Sequence, residues 1–458
     1  MRTLLVANRG EIAVRIMRSA RELGIRSVAV CSEADVGALH VRAADTHVVI
    51  GPAPAARSYL DVDALLAAAV TAGADAVHPG YGFLSERADF ATRVVAAGLV
   101  FVGPSAEAIR LMGDKAQARA MAARAGVPTL PGSAGLVEDL ASALAAAEVA
   151  GYPVAIKASA GGGGRGIRVA ENARALREML PVAQAEAAAA FGSGAVYLER
   201  FVARGRHIEV QVFGDGEHVV HLGERECSLQ RRRQKVIEES PAPGLSDVAR
   251  AAMAAAAVRL ADQVRYQGAG TVEFLYDQER EEFSFLEMNT RIQVEHPVTE
   301  MVVGRDLVAE QLKVAAGSPL SFGQADVVQA GHAIEFRLNA EDPNRGFLPS
   351  PGVLAALRLP GGPFVRVDSG YETGCVVPPY YDSLLAKVVV WGQSRVEALA
   401  RARRCLAEVE TDGISTTASL LRQIVEIPEF QQGRYHTTFL EQWLASAQGL
   451  TAEREGVV

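Results

Sequence analysis

The first hundred residues repeat one pattern: a short apolar run, a turn, then an amphipathic stretch with a 3.6-residue period. That repeat is what most narrows the folds open to this chain. Residues 4–7 read as a strand, Asn8-Arg9-Gly10 as a turn, and residues 11–23 as a helix with Ile12, Ile16, Ala20 and Leu23 on one face. Apolar strands at 28–30, 48–50, 76–78 and 99–102 alternate with helices at 61–72 and 86–97. Strands separated by helices predict an open, mostly parallel sheet. No GxGxxG follows the first strand, so dinucleotide binding is not expected of this unit.

Beyond it, 105–126 reads as a helical linker, with Ser105 as N-cap and Gly126-Val127-Pro128 as its stop. A smaller α/β piece follows, its strands at 154–158 and 167–170 flanking a glycine run. Residues 204–320 alternate with period 2 and end in a helix near 307–316. A last α+β piece has strands at 333–338 and 384–391 and a helix at 395–410. For 458 residues, about three domains are expected: 1–112, 113–330 with 130–203 as a mobile lid, and 331–446, followed by a tail at 447–458.

Composition excludes several function classes. A net charge of -8 without a basic block argues against nucleic acid as the partner. No apolar run reaches the roughly 18 residues of a membrane span, and Met1-Arg2-Thr3-Leu4 runs straight into a strand, so neither a membrane span nor a cleaved signal is expected. Cys31, Cys227, Cys375 and Cys405 show no CxxC spacing, which predicts free thiols in the cytoplasm. Lys and Arg total 46, yet the lysines are only Lys115, Lys157, Lys235, Lys313 and Lys387. In so arginine-rich a chain, a retained lysine suggests a compact point charge, as on phosphate. Lys157 and Lys235 adjoin the two most unusual segments.

One of these is Ser159-Ala160-Gly161-Gly162-Gly163-Gly164-Arg165-Gly166. Consecutive glycines cannot pack a core, so the loop is either a plain surface linker or a backbone that approaches a ligand closely. It lacks the GK[ST] ending of a Walker loop and lies between two strands. With Lys157 on the strand feeding it, a hairpin lid over phosphates is the expected reading.

The other informative stretch is 271–300. Two strand-like runs, 271–276 and 282–288, flank the polar turn Asp277-Gln278-Glu279-Arg280. A hairpin centred near Arg280 sets Glu273 opposite Glu287. Carboxylates so placed have Cβ atoms about 4.5–5.5 Å apart and repel unless a divalent cation bridges them. If the strand continues extended, Glu287, Asn289, Arg291, Gln293 and Glu295 share one face, with Met288, Ile292 and Val294 on the other. That first face joins metal ligands to an anion site and a base. A third segment pairs the alternating His207–Val212 stretch with Gln230-Arg231-Arg232-Arg233-Gln234-Lys235, a candidate polyphosphate surface.

Four long runs, those starting at Lys157 and Glu287, His78-Pro-Gly-Tyr-Gly-Phe-Leu-Ser-Glu and Arg337-Leu-Asn-Ala-Glu-Asp-Pro, together resemble biotin carboxylase. This family is the ATP-grasp component of acetyl-CoA carboxylase and related biotin-dependent carboxylases, and the likeness covers about residues 2–445. The resemblance implies an ATP-grasp architecture with an N-terminal Rossmann-like domain, a glycine-lid subdomain and a C-terminal α+β domain. It implies carboxylation of biotin with ATP and bicarbonate, through carboxyphosphate, as the first half-reaction of an acyl-CoA carboxylase feeding fatty acid biosynthesis.

By the same resemblance, ATP falls to Lys115, Lys157, Gly161, Gly162, Gly163, Gly164, Glu199, Arg200, Val202, His207, Gln230, Arg233 and Leu275, with Glu273 and Glu287. Two Mg²⁺ or Mn²⁺ ions fall to Glu273, Glu287 and Asn289. Arg291, Gln293 and Val294 match the bicarbonate site, and Glu295 the base that deprotonates it. Lys235 matches a residue acting on carboxyphosphate, Arg337 one that steadies the biotin ureido oxygen, and Tyr81 the border of biotin. The chain departs from the family at Ala160, in place of the lid's first glycine, at Arg200 for a lysine beside adenine, and at Arg233 for a histidine at the ribose.

Two other readings compete: a different ATP-grasp ligase activating bicarbonate or a carboxylate, and a catalytically silent nucleotide sensor. The Glu287–Glu300 run with Arg337 favours biotin, and the intact acids and bases weigh against a sensor. No lysine follows a methionine, so biotin is expected on a separate carrier protein, with a carboxyltransferase on another chain. A homodimer is implied by resemblance, with Arg18 and Phe364 as interface candidates.

Overall fold

The computed structural model describes residues 1–133, 135–137, 139–159 and 167–446. The N-terminal unit is the expected parallel sheet: β1 (Thr3–Val6), β2 (Arg26–Cys31), β3 (Thr46–Val49), β4 (Ala76–His78) and β5 (Val100–Phe101), in the order β3-β2-β1-β4-β5. Every pairing in it is parallel. Helix α1 (Gly10–Glu22) buries Ile12, Ile16 and Ala20 against Leu4, Val6 and Ala29. Leu23, expected on that face, is the C-cap and is exposed, because the helix stops one residue short of it.

Strand order reverses on either side of β1, and a crevice opens at such a switch point beyond the carboxyl ends of the strands. The turn after β1 and the loop after β4 meet there. The Asn8 side chain donates to the carbonyls of Pro79 and Tyr81, each at 2.7 Å, and so fixes the loop that carries Tyr81. A Cβ at Gly80 would lie 2.8 Å from Asn8 Nδ2, and φ there is +64°, so only glycine allows this approach.

The linker at 105–126 is two helices, Ala106–Gly113 and Lys115–Arg124, because Asp114 ends the first and caps the second by accepting from Gln117 N at 2.9 Å. Strands β6 (Val154–Ala158), β7 (Ile167–Ala170) and β8 (Val196–Arg200) form a small antiparallel sheet covered by helices Leu140–Ala150 and Ala173–Phe191.

The third sheet has eight strands. It contains β9 (Arg206–Asp215), β10 (Val219–Arg231), β11 (Gln234–Ser240), β12 (Gln267–Asp277), β13 (Glu282–Asn289) and β14 (His332–Asn339), with Leu384–Gly392 and Val365–Ser369 beyond β14. The order is β13-β12-β9-β10-β11-β14, then those two strands. The boundary expected at 330/331 thus runs between strands of one sheet. Ile208, Val210 and Val212 of β9 and Val272 and Phe274 of β12 pack on helix Asp247–Gln263. The alternate residues, Glu209, Gln211 and Glu273, therefore face the other way, toward the N-terminal unit. No helix among the described residues is long and apolar enough to cross a membrane.

Candidate active site

A cleft of about 1160 Å³ lies over that polar face, walled by the small sheet, the N-terminal crevice and the C-terminal strands. Its floor is a cross-strand row. Arg225 pairs with Glu209, Glu209 with Glu273, and Glu273 with Glu287, across β10, β9, β12 and β13. The expected partnership of Glu273 with Glu287 is the observed one. The hairpin is not symmetric, however: a register shift follows Glu273, so that Phe274 pairs with Phe285 and Leu286 is the extra residue.

The extended ribbon expected through Glu295 is corrected. Strand β13 stops at Asn289, the chain turns through 290–295, and Glu295 is the N-cap of helix His296–Val303. Pro297 in the first turn is a helix-start signal. The turn still delivers Arg291, Gln293, Val294 and Glu295 to the cleft, Val294 included, although alternation had assigned it to the opposite face.

Lys235 is the hub. Its Nζ donates to Glu209 at 2.6 Å, Glu273 at 3.2 Å and Glu295 at 2.5 Å. The second carboxylate oxygen of Glu295 accepts from Arg337 Nη2 at 2.8 Å, and Arg337 also contacts Glu238. Burial would raise the Glu295 carboxyl, but the charges of Lys235, Arg337 and Arg225 hold it well below the usual carboxylate range. Burial would likewise lower the Lys235 amine, and its acidic neighbours hold it well above its ordinary value.

Glu273 collects donors: Asn289 Nδ2 and Gln293 Nε2 at 2.9 Å each, with His207 Nε2 also 2.9 Å away. Glu287 has no hydrogen-bond partner among the described residues and opens onto the cleft. Crowding by the cleft walls, and then the charge of Glu273, raises its carboxyl above the ordinary value. A like-charged pair with one member unneutralised fits a divalent cation. The ligand atoms of His207, Glu209 and Glu273 also lie within 4.8 Å of one another, but the Lys235 ammonium already serves both carboxylates there.

At the other end, cations crowd together. Lys157 donates to Glu199 at 2.5 Å, and Arg119 contacts the same carboxylate. Burial, and then the charges of Arg233, Arg119 and Lys115, draws the Lys157 amine down to about 8. Such mutual repulsion is what a polyphosphate would relieve. Val202, Leu275 and Gln230 line the cleft nearby, Gln230 directly across from Lys235 in register. Arg200 holds the Ala150 carbonyl at 2.7 Å. Arg233 follows Arg232 in the β10–β11 turn, both at positive φ, which aims the turn into the cleft. Gly161, Gly162, Gly163, Gly164 and Ala160 lie outside the described residues.

Arg291 donates to Glu86 Oε2 at 2.9 Å and to Asn289 Oδ1 at 3.0 Å. Tyr81 donates to Glu11 at the cleft's N-terminal wall. Residue-by-residue reading missed Arg225 and Glu209. Arg225 is fully buried and donates to Glu209, Gln211, Thr271, Gln293 and Thr299. The signal was present in Glu224-Arg225-Glu226, charges inside a strand that otherwise reads as core.

Comparison with known proteins agrees along nearly the whole chain. Residues 1–109 match the family model "Biotin carboxylase, N-terminal domain", residues 114–322 "Carbamoyl-phosphate synthase L chain, ATP binding domain", and residues 335–442 "Biotin carboxylase C-terminal domain". A biotin carboxylase of Pseudomonas aeruginosa is 54% identical over 443 residues, 96% of this chain and 98% of that one. The Campylobacter jejuni biotin carboxylase in a β,γ-ATP complex superposes with a TM-score of 0.90 at 45% identity, covering 96% of this chain and 98% of that one. The biotin carboxylase domain dimer of Hydrogenobacter thermophilus 2-oxoglutarate carboxylase, in complex with MgADP, ADP and bicarbonate, gives 0.89 at 44% identity, covering 96% and 97%.

Proposed function

Since the chain belongs to the biotin carboxylase family, ligases that carboxylate biotin with ATP, we propose that its cleft holds ATP, bicarbonate and biotin in line and that Glu295 starts the reaction. The observation that carries this reading is the Glu295 carboxylate suspended between Lys235 and Arg337, ionised and in the cleft. Ionised, it takes the proton of bicarbonate; the resulting oxygen nucleophile attacks the γ-phosphorus, and the bond to ADP breaks.

Lys157 and Lys115 bind the phosphates, with Arg233 at the ribose and His207, Gln230, Leu275, Glu199, Arg200 and Val202 around the rest of the nucleotide. Glu273, Glu287 and Asn289 would hold two Mg²⁺ or Mn²⁺ ions. Bound there, they supply positive charge that offsets the transferring phosphoryl group. Arg291, Gln293 and Val294 hold bicarbonate. Lys235 then neutralises carboxyphosphate; its carboxyl–phosphate bond breaks as the carboxyl passes to the ureido nitrogen, and the departing phosphate takes that nitrogen's proton. Arg337 steadies the ureido oxygen, and Tyr81 borders the ring.

Biotin is carried on a separate chain, with a carboxyltransferase on another, as in the first half-reaction of an acetyl-CoA carboxylase. The protein works as a homodimer in which exposed Arg18 and Phe364 contribute to the interface. Four free cysteines support a reducing, cytoplasmic setting. The test is ADP release from purified protein: it should require bicarbonate and rise with free biotin. ATP binding without turnover under those conditions would leave only a nucleotide sensor.

A further inference from the structure

Lys387 is the one lysine with no exposed surface among the described residues, in a chain that writes nearly all its cations as arginine. Strand register places it directly between Arg337 on β14 and Asp368 on Val365–Ser369. Its Nζ donates to the Val294 carbonyl at 2.8 Å and lies 3.1 Å from Glu11 Oε1 and 3.9 Å from Asp368 Oδ2. The Tyr81 hydroxyl donates to that same Glu11 oxygen. The Val294 carbonyl belongs to the peptide that leads into Glu295.

A buried ammonium needs a counter-charge, and Glu11 at 3.1 Å supplies it; Asp368, which Arg366 already holds at 2.7 Å, and Glu335 add further negative charge. The third contact is to a main-chain carbonyl in the turn that presents Glu295, which neutrality does not require. Through these contacts one ammonium ties Glu11, and through it Tyr81 of the N-terminal wall, to the turn that carries Glu295. Contacts converging on one nitrogen suit a compact ammonium better than a planar guanidinium, whose donors point apart.

We propose that Lys387 is a positioning residue that sets the distance between Tyr81, at the border of biotin, and the Val294–Glu295 turn. The proposal rests on the biotin reading of Tyr81. Glu295 keeps its own holders, Lys235 and Arg337, and Arg291 and Gln293 of the bicarbonate site keep theirs in Glu86 and Glu273, so loss of Lys387 leaves proton abstraction from bicarbonate largely in place and chiefly misplaces biotin relative to it.

The experiment uses the full chain with free biotin as probe. Lys387→Met should leave bicarbonate-dependent ADP release without biotin near the wild-type rate, raise the KM for biotin, and cut the biotin-stimulated increment by up to about a hundredfold. Lys387→Arg keeps the charge and should not restore that increment; full activity in it overturns the proposal. The charge-balanced pair Lys387→Met with Glu11→Gln should recover thermal stability but not biotin turnover. Recovery of both would make Lys387 a counter-ion and nothing more. Should Lys387→Met fail to fold, Tyr81→Phe removes the hydroxyl end of the chain without touching charge and should raise the KM for biotin; an unchanged value there also refutes the idea. Wild-type protein that shows no biotin stimulation sinks the functional reading itself, a different outcome from any of these.

Discussion

Lys235 and Glu295 are joined by a 2.5 Å hydrogen bond from Nζ to Oε1, while the other oxygen of Glu295 accepts from Arg337. These cations depress the Glu295 carboxyl far below its ordinary range, so it is ionised through the ordinary carboxylate range and above. Bicarbonate-dependent ADP release should therefore show no acid limb from Glu295 near pH 4–5. Glu295→Gln should bind nucleotide as wild type does, measured by fluorescence titration, and lose about 10²–10³ in bicarbonate-dependent turnover. Equal loss of binding and turnover would mark the residue as structural.

The Lys157 amine, drawn down to about 8 by burial and by Arg233, Arg119 and Lys115, is partly neutral just above physiological pH. A bound polyphosphate reverses that repulsion and favours the protonated form. ATP binding at pH 8 should therefore take up about half a proton, read as a dependence of calorimetric binding heat on buffer ionisation enthalpy. At pH 6.5 the amine already carries its proton and the uptake should fall away. Lys157→Met should abolish the uptake at pH 8; if it persists, another group is responsible.

Glu287 faces Glu273 across the hairpin and has no hydrogen-bond partner among the described residues. Without divalent cations, Glu287→Gln should melt slightly higher than wild type, because a like-charged cross-strand pair is removed. In millimolar Mg²⁺ the order should invert, the wild type gaining stability and the variant gaining little. Thermal melts with and without chelator decide this, and an identical Mg²⁺ response in both proteins removes Glu287 from the metal site.

Much of this was readable from residue order. Period-2 alternation around a polar turn led to the Glu273–Glu287 pairing, and the strand–helix alternation to an open, parallel N-terminal sheet, though not to its strand order. What failed did so for local physical reasons. The bulge at Leu286 is invisible to a symmetric count from the turn, yet it falls beyond the acidic pair and so spared it. Alternation was carried past Asn289 into a helix start whose marker, Pro297, competes with extended structure. Arg225 shares its strand with residues that read as core, and its role depends on five partners separated from it by 14 to 74 residues, which no local pattern encodes. Lys387, one of the five retained lysines, carries no local sign of a role for the same reason: its partners, Glu11 and Val294, are distant in the chain and meet only in the fold.

Glu238 and Glu335 stand opposite each other across β11 and β14, both fully buried, and neither oxygen of Glu335 has a hydrogen-bond partner. Burial, only partly offset by Arg337, raises the Glu238 carboxyl from 4.5 to about 7. In the unfolded chain the same group ionises near its ordinary value. Between those two values the folded state binds more protons than the unfolded state, so stability falls as pH rises and the loss is complete above about 7. A shift of this size corresponds to a penalty on the order of 3 kcal/mol at pH 8, and to less than half of that at pH 5.5. Glu238→Gln removes the ionisation while keeping the shape. Its melting temperature should exceed that of the wild type by a few degrees at pH 8, with a clearly smaller margin at pH 5.5. A margin that is the same at both values, or larger in acid, would mean that Arg337 keeps Glu238 ionised throughout.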